Sequence, residues 1–299
     1  MKIKVFLSII FIFLIYSNNY YANNSNRPKV GLVLSGGGAK GFAHIGVLEV
    51  LEKEGIPVDY IVGTSIGSIM GALYSIGYNS EQLKEFARSQ EWIDLLSDYL
   101  SREYRNAYEK NEIDRYLVSF NLSEDKGVSL SAGIVQGQNV MNTLCRLTAK
   151  YHDIDDFSKL PIPFACVAAD IASGDEVVLK KGYLPEAIFA SMSLPTIFAP
   201  TEIDGKLLVD GGIINNYPVD VAKEMGADII IGVDIQTKPL KKEEIVELTD
   251  ILGQMFSYMG YEKYKENKEQ SDILIEPDIS GYSTASFSNE AADTLIERG

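Results

Sequence analysis

Twice in succession between Lys29 and Ile76, a short apolar segment runs into a glycine-rich turn that opens a helix. In Lys29–Ser35, Val30, Leu32, Val33 and Leu34 form a nearly continuous apolar run, the pattern of a strand buried on both faces. Gly36–Gly41 turns the chain. Phe42–Glu54 then carries Phe42, Ile45, Leu48 and Leu51 at helical spacing, and Gly55 and Pro57 end it. Tyr60–Val62 reads as a second strand, Gly63–Gly67 as a second turn and Ser68–Ile76 as a second helix. Strand–turn–helix repeated in this order predicts a parallel sheet with helices on both faces.

The α/β rhythm breaks over residues 79–125, which are rich in Glu, Lys, Tyr and Leu and hold Trp92, Leu95, Leu96, Tyr99 and Leu100 close together. One or two amphipathic helices are expected, either as a cap over a site or as an ordinary helical layer on the sheet. The rhythm resumes with a strand at Phe164–Ala169, a short hairpin strand at Glu176–Leu179 and a helix at Pro185–Ser193. A strand at Leu207–Val209 runs into Asp210-Gly211-Gly212. A helix at Val219–Met225, an apolar strand at Asp228–Asp234 and a charged, mostly helical stretch at Lys238–Lys268 complete the pattern.

Lys2 and Lys4 precede an apolar run from Val5 to Tyr16, which is too short to cross a bilayer comfortably, and a polar stretch follows. This predicts a signal peptide over residues 1–22, cut after Ala22 although Tyr20 is large for the −3 position; an uncleaved anchor is the alternative. The expected location is outside the cytoplasm: periplasm, outer membrane, cell surface or secreted. Residues 28–299 then form one domain, and the abrupt end after a helical pattern reads as a cut from a longer protein.

The formal net charge of −15 argues against nucleic acid as a partner and against electrostatic docking on anionic membranes. The two cysteines, Cys145 and Cys166, read as small buried hydrophobes, though export would permit a disulfide. No cluster has metal-ligand spacing, so neither metal nor cofactor is expected.

Gly36-Gly37-Gly38-Ala39-Lys40-Gly41 fits the G-x-G-x-x-G dinucleotide pattern. That reading needs an acid at the end of the second strand, but Asp59 precedes the strand and Gly63-Thr64-Ser65 follows it. A phosphate-binding P-loop fails as well, because Phe42 follows Gly41. What remains is a nest of backbone N–H groups at a helix start, suited to the oxyanion of an acyl-transfer intermediate. Gly36, Gly37, Gly38, Lys40 and Gly41 are its candidate residues, with Lys40 either adding positive charge or simply solvated.

Gly63-Thr64-Ser65-Ile66-Gly67 is a G-x-S-x-G elbow between strand and helix, with Ser65 as candidate nucleophile and Gly63 and Gly67 relieving the turn. The chain's two histidines, His44 and His152, cannot complete the order Ser, acid, His after a strand-end acid. His44 reads as a helix-face residue and His152 as a solvated loop residue. Asp210, leaving a strand at the carboxyl edge where a parallel sheet binds ligands, is the stronger candidate base.

These three signatures, in this order and with the stretch from Gly46-Val47-Leu48 to Gly55-Ile56 between the first two, resemble the patatin-like phospholipases. The resemblance covers roughly residues 28 to 280. It implies a three-layer α/β/α fold with a mainly parallel central sheet, and calcium-independent cleavage of lipid acyl esters of the phospholipase A type at a membrane or micelle surface. It implies Ser65 as nucleophile, Asp210 as base and the Gly37 and Gly38 N–H groups as oxyanion donors, with Asp170 in a structural role. An exported domain of this kind resembles the passenger of bacterial proteins that continue into a POTRA domain and an outer-membrane barrel. An esterase or transacylase on soluble esters and a non-catalytic lipid-binding module are the other readings.

Overall fold

The structure is a computed structural model that describes residues 27–97, 121–123, 127–129, 133–236, 242, 254 and 258–299. The strands are β1 (Val30–Leu34), β2 (Tyr60–Thr64), β3 (Asn121–Ser123), β4 (Gly127–Ser129), β5 (Gly133–Val135), β6 (Phe164–Asp170), β7 (Glu176–Leu179), β8 (Thr196–Phe198), β9 (Thr201–Ile203), β10 (Lys206–Asp210), β11 (Ile229–Val233) and β12 (Ile273–Ile275). The helices are α1 (Phe42–Lys53), α2 (Ile66–Ser75), α3 (Ser80–Ser89), α4 (Trp92–Ser97), α5 (Gln138–Thr148), α6 (Leu184–Met192), α7 (Val219–Glu224), α8 (Tyr261–Glu269) and α9 (Asn289–Arg298).

Side chains on successive strand residues point to opposite faces, and the core divides accordingly. Leu32, Leu34, Ile61, Phe164 and Cys166 pack into one cluster with α1, α2, α3, α6 and α9. Val33, Val62, Ala165, Val167 and Ile230 pack into another with Tyr217, Val219 and Ala222 around α7, which Tyr264 of α8 joins. The result is the expected three-layer α/β/α arrangement. The sheet runs β12-β11-β1-β2-β6-β10-β9, with β7 also paired to β6. The strands from β12 to β6 are mutually parallel.

The strand that ends at Asp210 does not run as the expected parallel sheet requires. β10 is antiparallel to β6, so Asp210 does not leave the sheet at a carboxyl edge shared with parallel neighbours. Cys166 and Val167 of β6 pair with β7 on one side and with Gly63 and Thr64 of β2 on the other. Ala168 and Ala169 pair with the same β7 and, opposite it, with Asp210 and Val209. A strand has two edges, so β2 and β10 must lie on the same edge of β6, their carboxyl ends meeting head to head.

In the described part of the 79–125 region, α3 and α4 pack on the core as a helical layer and Asn121–Ser123 forms β3. α3 begins with a capping box of Asn79 and Gln82 and buries Leu83, Phe86 and Ala87. Trp92 stacks on Phe287 at 5.1 Å and meets Phe42 edge-on at 5.4 Å, which ties α4 into the core. Residues 98–120 of that region, the signal segment 1–22 and most of 238–257 lie outside the described residues. Both cysteines are free thiols, Cys166 buried as expected and Cys145 only half-buried.

Candidate active site

Ser65 sits between the end of β2 and the start of α2 with φ 55° and ψ −124°, a strained conformation for a residue with a side chain. The helix starts at Ile66, two residues earlier than expected, so its N-terminus lies directly behind the half-buried serine. Gly63 and Gly67 are needed for close approach. A Cβ on Gly63 would lie 2.6 Å from the Ser68 nitrogen, and one on Gly67 would lie 2.8 Å from the Ser35 carbonyl oxygen.

The Ser65 hydroxyl donates to Asp210 Oδ2 at 2.6 Å. The Gly212 N–H donates to Asp210 Oδ1 at 2.7 Å, and the Asp210 N–H donates to the Ser193 carbonyl at 2.9 Å. The carboxylate is thus oriented through both oxygens and the backbone. Burial pushes its pKa from 3.8 up to about 6, with the Ser65 and Gly212 hydrogen bonds working in the opposite direction.

The glycine loop lies against the serine: a Cβ on Gly36 would come 3.0 Å from the Ser65 Cβ. Its residues divide into distinct tasks. Gly36 donates its N–H to the Asn216 carbonyl at 3.2 Å, so it is a wall of the site and has no free donor. Gly38 has φ 58°. Among the described residues, the N–H groups of Gly37 and Gly38 have no protein acceptor. Gly41 makes room for the Ile66 side chain. Lys40 is not solvated as one reading held. It is 2% exposed, and burial lowers its pKa to about 8 against the pull of Asp234.

Neither histidine reaches Ser65. His44 is fully buried, its Nε2 donates to the Ser35 carbonyl at 2.9 Å, and burial lowers its pKa to about 4, so it is neutral. His152 is exposed, with Nδ1 2.9 Å from the Ala149 carbonyl. Asp170 accepts from the Ala172 N–H and the Ser173 hydroxyl and closes the turn after β6.

Sequence reasoning missed the segment that joins the pieces. Asn215 accepts the Thr64 hydroxyl on its carbonyl at 2.9 Å, and Asn216 clasps Gly36 through its backbone and its Nδ2. Asn215 is anchored in turn by Glu176, Asp220 and the buried Asn267 of α8. The one sequence signal was a pair of amides shortly after the Asp210 turn, which alone reads as loop.

A mostly parallel three-layer sheet, a serine elbow and a buried carboxylate bonded to that serine define the class of site. The patatin-like phospholipase family profile matches residues 32–223, and the chain belongs to that family. It is 32% identical over 211 residues to an uncharacterized NTE family protein of Mycobacterium tuberculosis, covering 71% of this chain and 50% of that protein. It is 34% identical over 218 residues to lysophospholipase NTE1 of Meyerozyma guilliermondii, and 35% identical over 208 residues to human patatin-like phospholipase domain-containing protein 6. Those matches cover 70% and 69% of this chain but 13% of each relative. The chain therefore spans about half the length of the mycobacterial relative and far less of the other two. Among solved structures, VipD from Legionella pneumophila matches with a TM-score of 0.48 at 14% identity, covering 91% of this chain and 65% of that one.

Proposed function

We propose that this chain is a serine-dependent lipid acyl hydrolase in which Ser65 is the nucleophile and Asp210 its general base. The observation that carries the reading is the 2.6 Å hydrogen bond from the Ser65 hydroxyl to a buried carboxylate whose pKa is raised to about 6. A base with that pKa is ionised at neutral pH yet basic enough to take a proton as a bond forms.

In the first step Ser65 Oγ attacks the ester carbonyl carbon while its proton passes to Asp210 Oδ2. The carbonyl oxygen becomes an oxyanion, met by the free N–H groups of Gly37 and Gly38 and the N-terminal end of α2. Collapse expels the alcohol, which takes the proton from Asp210, and leaves an acyl-Ser65 ester. In the second step water gives a proton to Asp210 and attacks that ester, the acid departs, and Ser65 recovers its proton. Backbone N–H groups take the oxyanion in this scheme, so the proposed reaction is calcium-independent.

Lipid as the acyl donor, and a phospholipase A type of cleavage, rest on membership of the patatin-like phospholipase family and on the lysophospholipase name of a relative. Exposed Leu194 and Ile197, just after the Ser193 carbonyl that holds Asp210, offer apolar surface beside the site for a membrane or micelle. The segment 1–22 is proposed to export the chain.

The test is product analysis on defined phospholipids, lysophospholipids and short soluble esters, beside Ser65→Ala. Fatty acid release from lipid, lost in the variant, is expected. Turnover of soluble esters alone would make it an esterase, and no turnover with an unreactive Ser65 would make it a binding module.

A further inference from the structure

The last turn of α6 touches both halves of the Ser65–Asp210 pair. Ser191, fully buried, accepts the Ser65 N–H on its Oγ at 3.1 Å and donates its own proton to the Val167 carbonyl at 2.6 Å. Two residues on, the Ser193 carbonyl accepts the Asp210 N–H at 2.9 Å. Val167 is the β6 partner of Thr64, the last residue of β2. The Ser191 hydroxyl is therefore spliced in as one more rung between β2 and β6, at the point where the chain turns away.

Buried helical serines commonly bond back to their own helix, as Ser193 does to Phe189 at 2.7 Å. Ser191 does not; it reaches across to the elbow. Strain such as the positive φ of Ser65 persists only where the surroundings hold it. Ser191 holds the N–H of that residue, and Ser68 Oγ holds its carbonyl at 2.6 Å.

We infer that the last turn of α6 sets the spacing of the two reacting side chains, with Ser191 the positioning residue for Ser65. This rests on the reading of Ser65 and Asp210 as nucleophile and base. Without the Ser191 hydroxyl, the Ser65 N–H and the Val167 carbonyl each lose a buried partner. The elbow then relaxes, and Oγ moves off the Asp210 carboxylate.

That movement has a signature beyond lost stability. The Ser65 hydrogen bond holds the Asp210 pKa down, so losing it raises the pH midpoint of activity. Among the described titratable groups on the elements packed around Asp210, none acts on its charge. Asp170 is bonded into its own turn, Glu186 lies in the first turn of α6, Glu202 pairs with Leu207, Lys206 opens β10, and burial keeps Cys166 a neutral thiol.

The experiment compares wild type with Ser191→Ala in kcat, KM, pH profile and Ser65 labelling by a fluorophosphonate. The expected result is a fall in kcat and labelling rate of about 10- to 100-fold, with little change in KM. The pH midpoint should move above that of wild type. Wild-type kcat and midpoint in folded Ser191→Ala would overturn the inference. Should that variant not fold, Ser191→Cys, with a weaker donor and acceptor of similar shape, must show the same direction, and wild-type behaviour there overturns it equally. Asp210→Asn is run alongside: wild-type labelling in that variant would sink the nucleophile–base reading itself. An inactive Asp210→Asn with an unaffected Ser191 variant would sink the positioning role alone.

Discussion

Ser65 and Asp210, 145 residues apart in the chain, share a 2.6 Å hydrogen bond where two strands meet end to end on one edge of a third. The carboxylate is 4% exposed, and among the described residues no charged group acts on it. Its properties therefore follow from burial and from the few donors aimed at it.

The first consequence is a pH profile. In the proposed mechanism Asp210 must be ionised, so kcat/KM should rise with pH to a plateau, with a midpoint near its pKa of about 6. Steady-state rates measured between pH 4 and 9 check this. A flat profile across pH 5 to 7 would contradict it.

Stability should move the other way. Burial raises the folded-state pKa of Asp210 from 3.8 to about 6, so the folded chain binds the extra proton between those values. Its contribution to stability is fully present at low pH and falls as pH rises through that window, by on the order of 3 kcal/mol. Denaturant unfolding of wild type and Asp210→Asn at pH 4 and pH 7 measures it. Relative to the variant, wild type should lose stability toward pH 7.

His44 supplies a control. It is neutral and turned to the Ser35 carbonyl, and glutamine can offer a similar N–H. His44→Gln should fold and keep the pH midpoint of wild type. A displaced or missing midpoint would make His44 part of the proton path.

Gly67 is where the elbow leaves no room. A side chain there would press on the Leu34 carbonyl and lie 2.8 Å from the Ser35 oxygen, both backbone atoms that cannot step aside cheaply. Gly67→Ala should cost more than about 3 kcal/mol of stability, read by urea unfolding. A stable, active variant would mean that the turn has another way to pack.

Much of this was legible in the sequence. The buried strands β1, β2, β6 and β11 announce themselves as continuous apolar runs, and the two turns before α1 and α2 by their glycines. The direction of β10 was not legible, because a five-residue strand carries the same alternation whichever way it runs. In the sequence, the pairing of Asp210 with Ser65 rests on a parallel β10 that the structure replaces with an antiparallel one, although the two residues do meet. The three-residue strands β8, β9 and β12 are too short to show a period. Ser191, Asn215 and Asn216 escaped because their roles come from contacts made across the fold. The burial of Lys40 escaped because a lysine beside glycines reads as solvated.

Whether Asp210 activates Ser65 as a nucleophile is read by mass spectrometry of the intact protein after fluorophosphonate treatment at pH 8. A single adduct on Ser65 is expected, absent in Ser65→Ala and formed far more slowly in Asp210→Asn. A folded protein whose Ser65 stays unlabelled, or an Asp210→Asn variant that labels at the wild-type rate, would contradict that activation.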